Sequence, residues 1–174
     1  MGQPVDRDPG APGGVPGLRG RLEGGSARFA IVASRFNEAV VERLVDGARA
    51  ALLEHGVAEQ DVDIVSVPGA WELPLAVDRV VRTGRYAAVV AIGCVIRGET
   101  PHFDYIAAEA ARGLSAVALT SGVPVTFGVL TTDTAEQAFE RAGGRKGNKG
   151  RDAALAALEM ADLFRRLEES RAGA

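Results

Sequence analysis

The stretch Gly93-Cys94-Val95-Ile96-Arg97-Gly98-Glu99-Thr100-Pro101-His102-Phe103-Asp104-Tyr105 holds the densest set of groups able to do chemistry. An apolar run from Tyr86 to Ile96 stops at a Gly-containing polar loop, and a helix then begins with a histidine in its first turn. Ligands of open α/β sheets sit at the carboxyl ends of strands, where the N–H groups of the next helix point outward. His102, one of two histidines in the chain, falls at that spot. A ring held there feels the positive end of the helix dipole, which favours the neutral form that accepts and returns a proton. The plainer alternative is a polar residue that merely opens a helix.

Other segments place unusual residues where a solvated turn would suffice. Phe36 and Trp71 are large aromatics just beyond strands, where a flat apolar face suits a planar heterocycle. Both could instead plug the end of a sheet. Glu72 follows Gly69-Ala70 at a helix start, either as a dipole-stabilised cap or as an acceptor for ligand hydroxyls. Gly98-Glu99-Thr100-Pro101 joins a flexible residue, a capping hydroxyl and a proline suited to the first helical position, and its N–H groups could hold a phosphate. Arg141, Arg145, Lys146 and Lys149 surround a glycine-bearing loop, an arrangement that fits a small dianion, or else complements a helix carboxyl end. Cys94 ends a buried strand and reads as a small hydrophobe, and His55, before Gly56, reads as a helix cap. Two scattered histidines and one cysteine give no metal-ligand spacing.

These residues need a scaffold, and the chain supplies one by alternation. Strands are predicted at Phe29–Ala33, Val62–Val67, Ala87–Ile96 and Pro124–Thr131. Helices are predicted from Asn37, as cap, to Gly56; from Trp71 to Arg82; from Pro101 to Thr120; briefly after Asp133, with Glu136 completing a capping-box-like start; and from Gly150 to Ser170. Successive β-then-α units imply a three-layer α/β/α sandwich around a four-stranded parallel sheet in flavodoxin-like order. Leu18 to Leu22 is predicted as a short extra strand that pairs elsewhere, with a neighbouring subunit as the candidate. Residues 1–19, rich in Gly and Pro, read as a flexible arm, and residues 20–174 as one domain.

Length and composition set the outer bounds. A chain of 174 residues can bury a core of its own. A net charge of -3 without a basic run argues against nucleic acid as a partner. One cysteine excludes an internal disulfide framework and suits the cytoplasm. No apolar run reaches the ~18 residues of a membrane span, so no membrane partner is expected.

Taken together, the strand-end loops resemble a known family. Arg35-Phe36-Asn37, Val67-Pro68-Gly69-Ala70-Trp71-Glu72-Leu73-Pro74, Gly93 to Tyr105, Phe127-Gly128-Val129-Leu130-Thr131, and Glu140-Arg141-Ala142-Gly143 with Gly147-Asn148-Lys149-Gly150 are similar to 6,7-dimethyl-8-ribityllumazine synthase, in order from about Arg28 to Leu163. The resemblance implies a transferase of riboflavin biosynthesis that condenses 5-amino-6-(D-ribitylamino)uracil with 3,4-dihydroxy-2-butanone 4-phosphate. It implies that His102 carries protons and that Phe36 stacks on the pyrimidine. Ala70, Trp71 and Glu72 would line the ribityl pocket, while Cys94, Val95 and Ile96 would offer strand-end backbone groups. Glu99 and Thr100 would give N–H groups to the butanone phosphate and Arg141 would neutralise it, with Lys149 in the same substrate-binding set. Phe127 and Arg141 would reach a site completed by the adjacent subunit. The resemblance also implies no cofactor and no metal. It implies a homo-oligomer, either a pentamer or twelve pentamers closed into an icosahedral 60-subunit capsid, with riboflavin synthase as a candidate companion.

Two rivals keep the fold without this reaction. A non-catalytic flavin- or lumazine-binding or cage-forming homologue would have no use for His102, Arg141, Glu72 and Phe36 together. A flavodoxin-like carrier would need a Ser/Thr/Gly-rich phosphate loop after the first strand, and Ser34-Arg35-Phe36-Asn37-Glu38 is a poor one.

Overall fold

In the computed structural model, which describes residues 17–172, four parallel strands lie in the order β2-β1-β3-β4. They are β1 (Phe29–Ser34), β2 (Val62–Val67), β3 (Ala88–Ile96) and β4 (Val125–Thr132). Helices α1 (Glu38–Glu54), α2 (Leu73–Val81), α3 (His102–Ser121), α4 (Ala135–Glu140) and α5 (Lys149–Ala172) connect and follow them. The predicted arm falls outside the described residues except for positions 17–19, which carry no regular structure.

Every residue of β1 is buried, because both faces of the sheet are covered. Phe29, Ile31 and Ala33 point into one core with Leu44, Ala48 and Leu52 of α1 and Ala154, Ala157 and Leu158 of α5. Ala30 and Val32 point into the other core with Leu73 and Val77 of α2 and Ala110 and Leu114 of α3. This alternation is the two-residue period of a strand read by two layers of helices. Small residues let the layers approach closely: a Cβ on Gly150 would stand 2.0 Å from the Leu44 carbonyl oxygen, so α5 crosses α1 nearly backbone to backbone.

Several element ends differ from expectation for identifiable reasons. Asn37 occupies the position before α1, but its backbone is left-handed (φ 60°) and its amide donates to the Cys94 carbonyl (2.9 Å) instead of capping the helix. The predicted helix from Trp71 begins as a 3₁₀ turn, Ala70–Glu72, with Pro74 in the first turn of α2. Thr134, not Asp133, caps α4, accepting from the Gln137 N–H at 3.2 Å. The loop from Gly143 to Gly150 is a small antiparallel ribbon, β5 (Ala142–Gly144) and β6 (Gly147–Asn148), turned through Gly147 at φ 76°. Residues 18–22 form no strand within the chain and run beside α5, where the buried Asp162 carboxylate accepts the Arg21 N–H at 2.8 Å.

Candidate active site

The carboxyl ends of the strands lie along one edge in two steps: β1 and β2 end together at Ser34 and Val67, while β3 and β4 end together at Ile96 and Thr132, beyond the point where Ala33 pairs with Ile92. From β1 the chain turns to α1 on one face; from β3 it turns to α3 on the other. This reversal is where an open sheet leaves a crevice for a ligand. A cavity of about 360 Å³ opens there. Its walls come from three consecutive strand ends: Phe36 after β1; Gly69, Ala70 and Trp71 after β2; and Cys94, Val95, Ile96, Gly98, Thr100 and His102 at and beyond β3.

Local backbone bonds hold these walls in place. The Arg35 and Phe36 N–H groups donate to the carbonyls of Val67 (2.8 Å) and Pro68 (3.1 Å), tying the Phe36 turn to the β2 loop. Asn37 ties the same turn to β3 through the Cys94 carbonyl. Phe36 and Trp71 remain 70% and 56% exposed in the isolated chain, so each offers a ring face instead of a buried plug. With Phe103 they give the cavity three aromatic surfaces, a lining suited to a flat heterocycle.

Several predicted site residues are engaged in holding structure. Glu72 accepts the Gly69 N–H at 2.9 Å, so one carboxylate oxygen closes the 3₁₀ turn. Cys94 is buried, and burial pushes its thiol up to about 11, which keeps it protonated and unreactive near neutral pH. Glu99 is exposed on the loop between Gly98 and Thr100. His55 closes α1, its Nδ1 lying 2.8 Å from the Ala51 carbonyl oxygen.

Phe127, Arg141 and Lys149 come together elsewhere. They line a second, more open concavity along edge strand β4 and the start of α5, with Thr131 and Asp152. Arg141 donates to the Gln137 carbonyl (3.0 Å), and Lys149 pairs with Asp152 (2.6 Å) while its N–H reaches the Arg141 carbonyl (2.9 Å). Arg145 pairs with Glu140 at 3.0 Å, and that guanidinium holds the Glu140 carboxyl below the usual range. Within one chain, then, Arg141 and Lys149 and the histidine cavity are separate features. Among the described residues, no three His, Cys, Asp or Glu side chains gather to hold a metal ion, and no helix is long and apolar enough to cross a membrane.

Gly98, expected as the flexible residue of the turn before α3, lines the cavity, and so do Gly69, Phe103 and Ile106, which were not among the expected site residues. The signal was present for the last two: Ile106 lies four residues beyond His102 and three beyond Phe103, the spacings that put neighbours on one helix surface.

Comparison with known sequences adds the family. The sequence model described as 6,7-dimethyl-8-ribityllumazine synthase matches residues 26–165. A protein of that name from Halorhodospira halophila is 57% identical over 142 residues, covering 82% of this chain and 91% of its own. Another from Aquifex aeolicus is 54% identical over 148 residues, covering 85% and 96%.

Proposed function

The chain belongs to the 6,7-dimethyl-8-ribityllumazine synthase family, and from that premise we propose how its two concavities share one reaction. The enzyme acts in riboflavin biosynthesis, joining 5-amino-6-(D-ribitylamino)uracil and 3,4-dihydroxy-2-butanone 4-phosphate into 6,7-dimethyl-8-ribityllumazine with loss of phosphate and water. The pyrimidine stacks on Phe36 in the cavity at the ends of β1 and β3, with Cys94, Val95 and Ile96 presenting backbone groups to its edge. Ala70 and Trp71 flank the ribityl chain, and the Glu72 oxygen not needed by Gly69 accepts from its hydroxyls. The N–H groups of Glu99 and Thr100 face the butanone phosphate.

The chemistry needs few protein groups. The substrate amine attacks the ketone and water leaves, giving an imine. His102 takes a proton from the carbon next to the imine, the phosphate departs with the C–O electron pair, and the resulting enol takes a proton back to become a ketone. The ribitylamino nitrogen then attacks that ketone, and a second water leaves as the ring closes. Such proton transfers are worth roughly 10²–10⁴ in rate, and holding two substrates in register supplies much of the remainder.

The observation that carries this reading is the split between the two features. His102 and the aromatic rings share a cavity whose wall, among the described residues, contains no lysine or arginine, while Arg141 and Lys149 stand with Phe127 on β4 and α5. A dianionic substrate needs both, so each site takes His102 from one subunit and Phe127, Arg141 and Lys149 from the next. A ring of subunits satisfies that head-to-tail contact, and we favour a pentamer, with twelve closing into a shell. The protein works in the cytoplasm, where its single cysteine stays reduced. Mixing the purified protein with the two substrates should produce a fluorescent lumazine and release phosphate. Tight binding of the lumazine without turnover would instead favour a binding or cage protein.

A further inference from the structure

The β3–α3 loop carries His102 at its far end, yet no side chain caps the start of α3. What fixes that first turn is Arg97. Its N–H donates to the Thr132 carbonyl at 2.8 Å, extending the β3–β4 pairing by one step. Its Nε donates to Asp133 Oδ1 at 2.9 Å, in the turn after β4. Its Nη1 donates to Asp104 Oδ1 at 3.2 Å, in the first turn of α3. The guanidinium carbon sits over the Phe103 ring, 4.2 Å from its centre. One side chain thus grips the residues one and two places after His102 and anchors them to the neighbouring strand.

We propose that Arg97 is a positioning residue for the condensation: it sets the rotation of the first turn of α3, and so where the His102 ring stands against the bound pyrimidine. Phe103, the ring it covers, is itself a wall of the cavity. A planar guanidinium can serve two carboxylates and a ring at once, whereas an ammonium cannot reproduce that fork. The inference rests on His102 being the proton carrier.

The ion pairs are exposed, with the Arg97 side chain at 44% and its two carboxylate partners at 66% and 60%. Pairs of that kind contribute little to folding stability, so the effect belongs in turnover. Thermal unfolding of Arg97→Ala should therefore stay near that of the parent protein. Its kcat should fall about tenfold or more, with the KM for the uracil nearly unchanged; a fall of that size matches losing an oriented acid–base group in part. Arg97→Lys should recover only part of the rate.

The decisive measurement is a double-mutant comparison by lumazine formation. If Arg97 acts through His102, Arg97→Ala should lower the rate in the parent and change it little in a His102→Ala background. Equal fold-losses in both backgrounds, or an unchanged kcat in the single variant, would overturn the proposal. Should Arg97→Ala fold poorly, Asp133→Asn and Asp104→Asn loosen the same grip and must show the same dependence on His102. The unsubstituted protein runs in parallel, so a parent that makes no lumazine refutes the enzymatic reading, separately from this one.

Discussion

His102 has the task of moving protons while the rest of the cavity does the binding, so its removal should act on rate and leave affinity in place. His102→Ala should lower kcat by about 10²-fold or more and leave a measurable residue of activity, because proximity persists; steady-state kinetics on both substrates would check this. Arg141 has the opposite task. Losing a charge-assisted contact to a phosphate costs about 1.5–3 kcal/mol, so Arg141→Ala should raise the KM for the butanone phosphate by roughly ten- to a hundredfold and spare that for the uracil. Equal losses for both substrates would remove Arg141 from its assigned place. Cys94 offers a pH test of burial. Its thiol rises from 9.0 to about 11 on folding, so below pH 9 it is protonated in both states and contributes no pH dependence. Between about 9 and 11 the unfolded chain releases a proton that the folded one keeps, and stability falls, on the order of 2 kcal/mol across that window. Thermal unfolding at pH 8 and pH 10.5 should show a larger loss in the parent than in Cys94→Ala, which keeps only the loss from other groups such as the Tyr86 hydroxyl, also pushed up by burial.

Among the elements, the contact of α5 with α1 fixes the start of α5, which carries Lys149 into the cationic concavity. Asn148 donates to the Arg43 carbonyl (2.8 Å) and accepts the Arg151 N–H (3.0 Å), so it fastens the α5 start to α1 while Lys149 follows it. Gly150 lies in the same crossing, where a Cβ would meet the Leu44 carbonyl oxygen at 2.0 Å. Gly150→Ala must push the two helices apart, at a cost of about 1–3 kcal/mol or more. At this chain length each kcal/mol lowers Tm by about 2–4 °C. Differential scanning calorimetry should show that loss, whereas Gly98→Ala, with nothing within 4 Å of its Cβ, should leave Tm in place. An unchanged Tm for Gly150→Ala would mean that the helices have room to shift.

For the whole molecule, the question is whether one chain can hold a complete site. If His102 and Arg141 serve a site from different subunits, two defective proteins should repair each other. His102→Ala and Arg141→Ala subunits, unfolded together and reassembled at equal amounts, should regain about a quarter of parental activity, the share of junctions that draw both intact residues under random mixing. Activity no greater than the mean of the two separate variants would place both residues in a site within one chain. Light scattering on the same sample would report the size of the assembly.

The sequence by itself determined the layered sheet, because strand and helix periods differ and each is written in successive side chains. The strands at 62–67 and 88–96 were legible to within a residue, as was the cluster of unusual residues at strand ends, since parallel topology forces those ends onto one edge. Local rules failed where a competing partner lay far along the chain. Asn37 looks like a cap from its neighbours alone, but the Cys94 carbonyl, distant in sequence, claims its amide. The β5–β6 ribbon is too short to carry a period. Only the tertiary structure decided that Arg141 and Lys149 stand apart from His102 on their own chain, and that Arg97 reaches Asp133, Asp104 and Phe103 together. Distances between loops follow from how the helices pack over the sheet, and packing is a property of all the side chains at once, which no window of sequence contains.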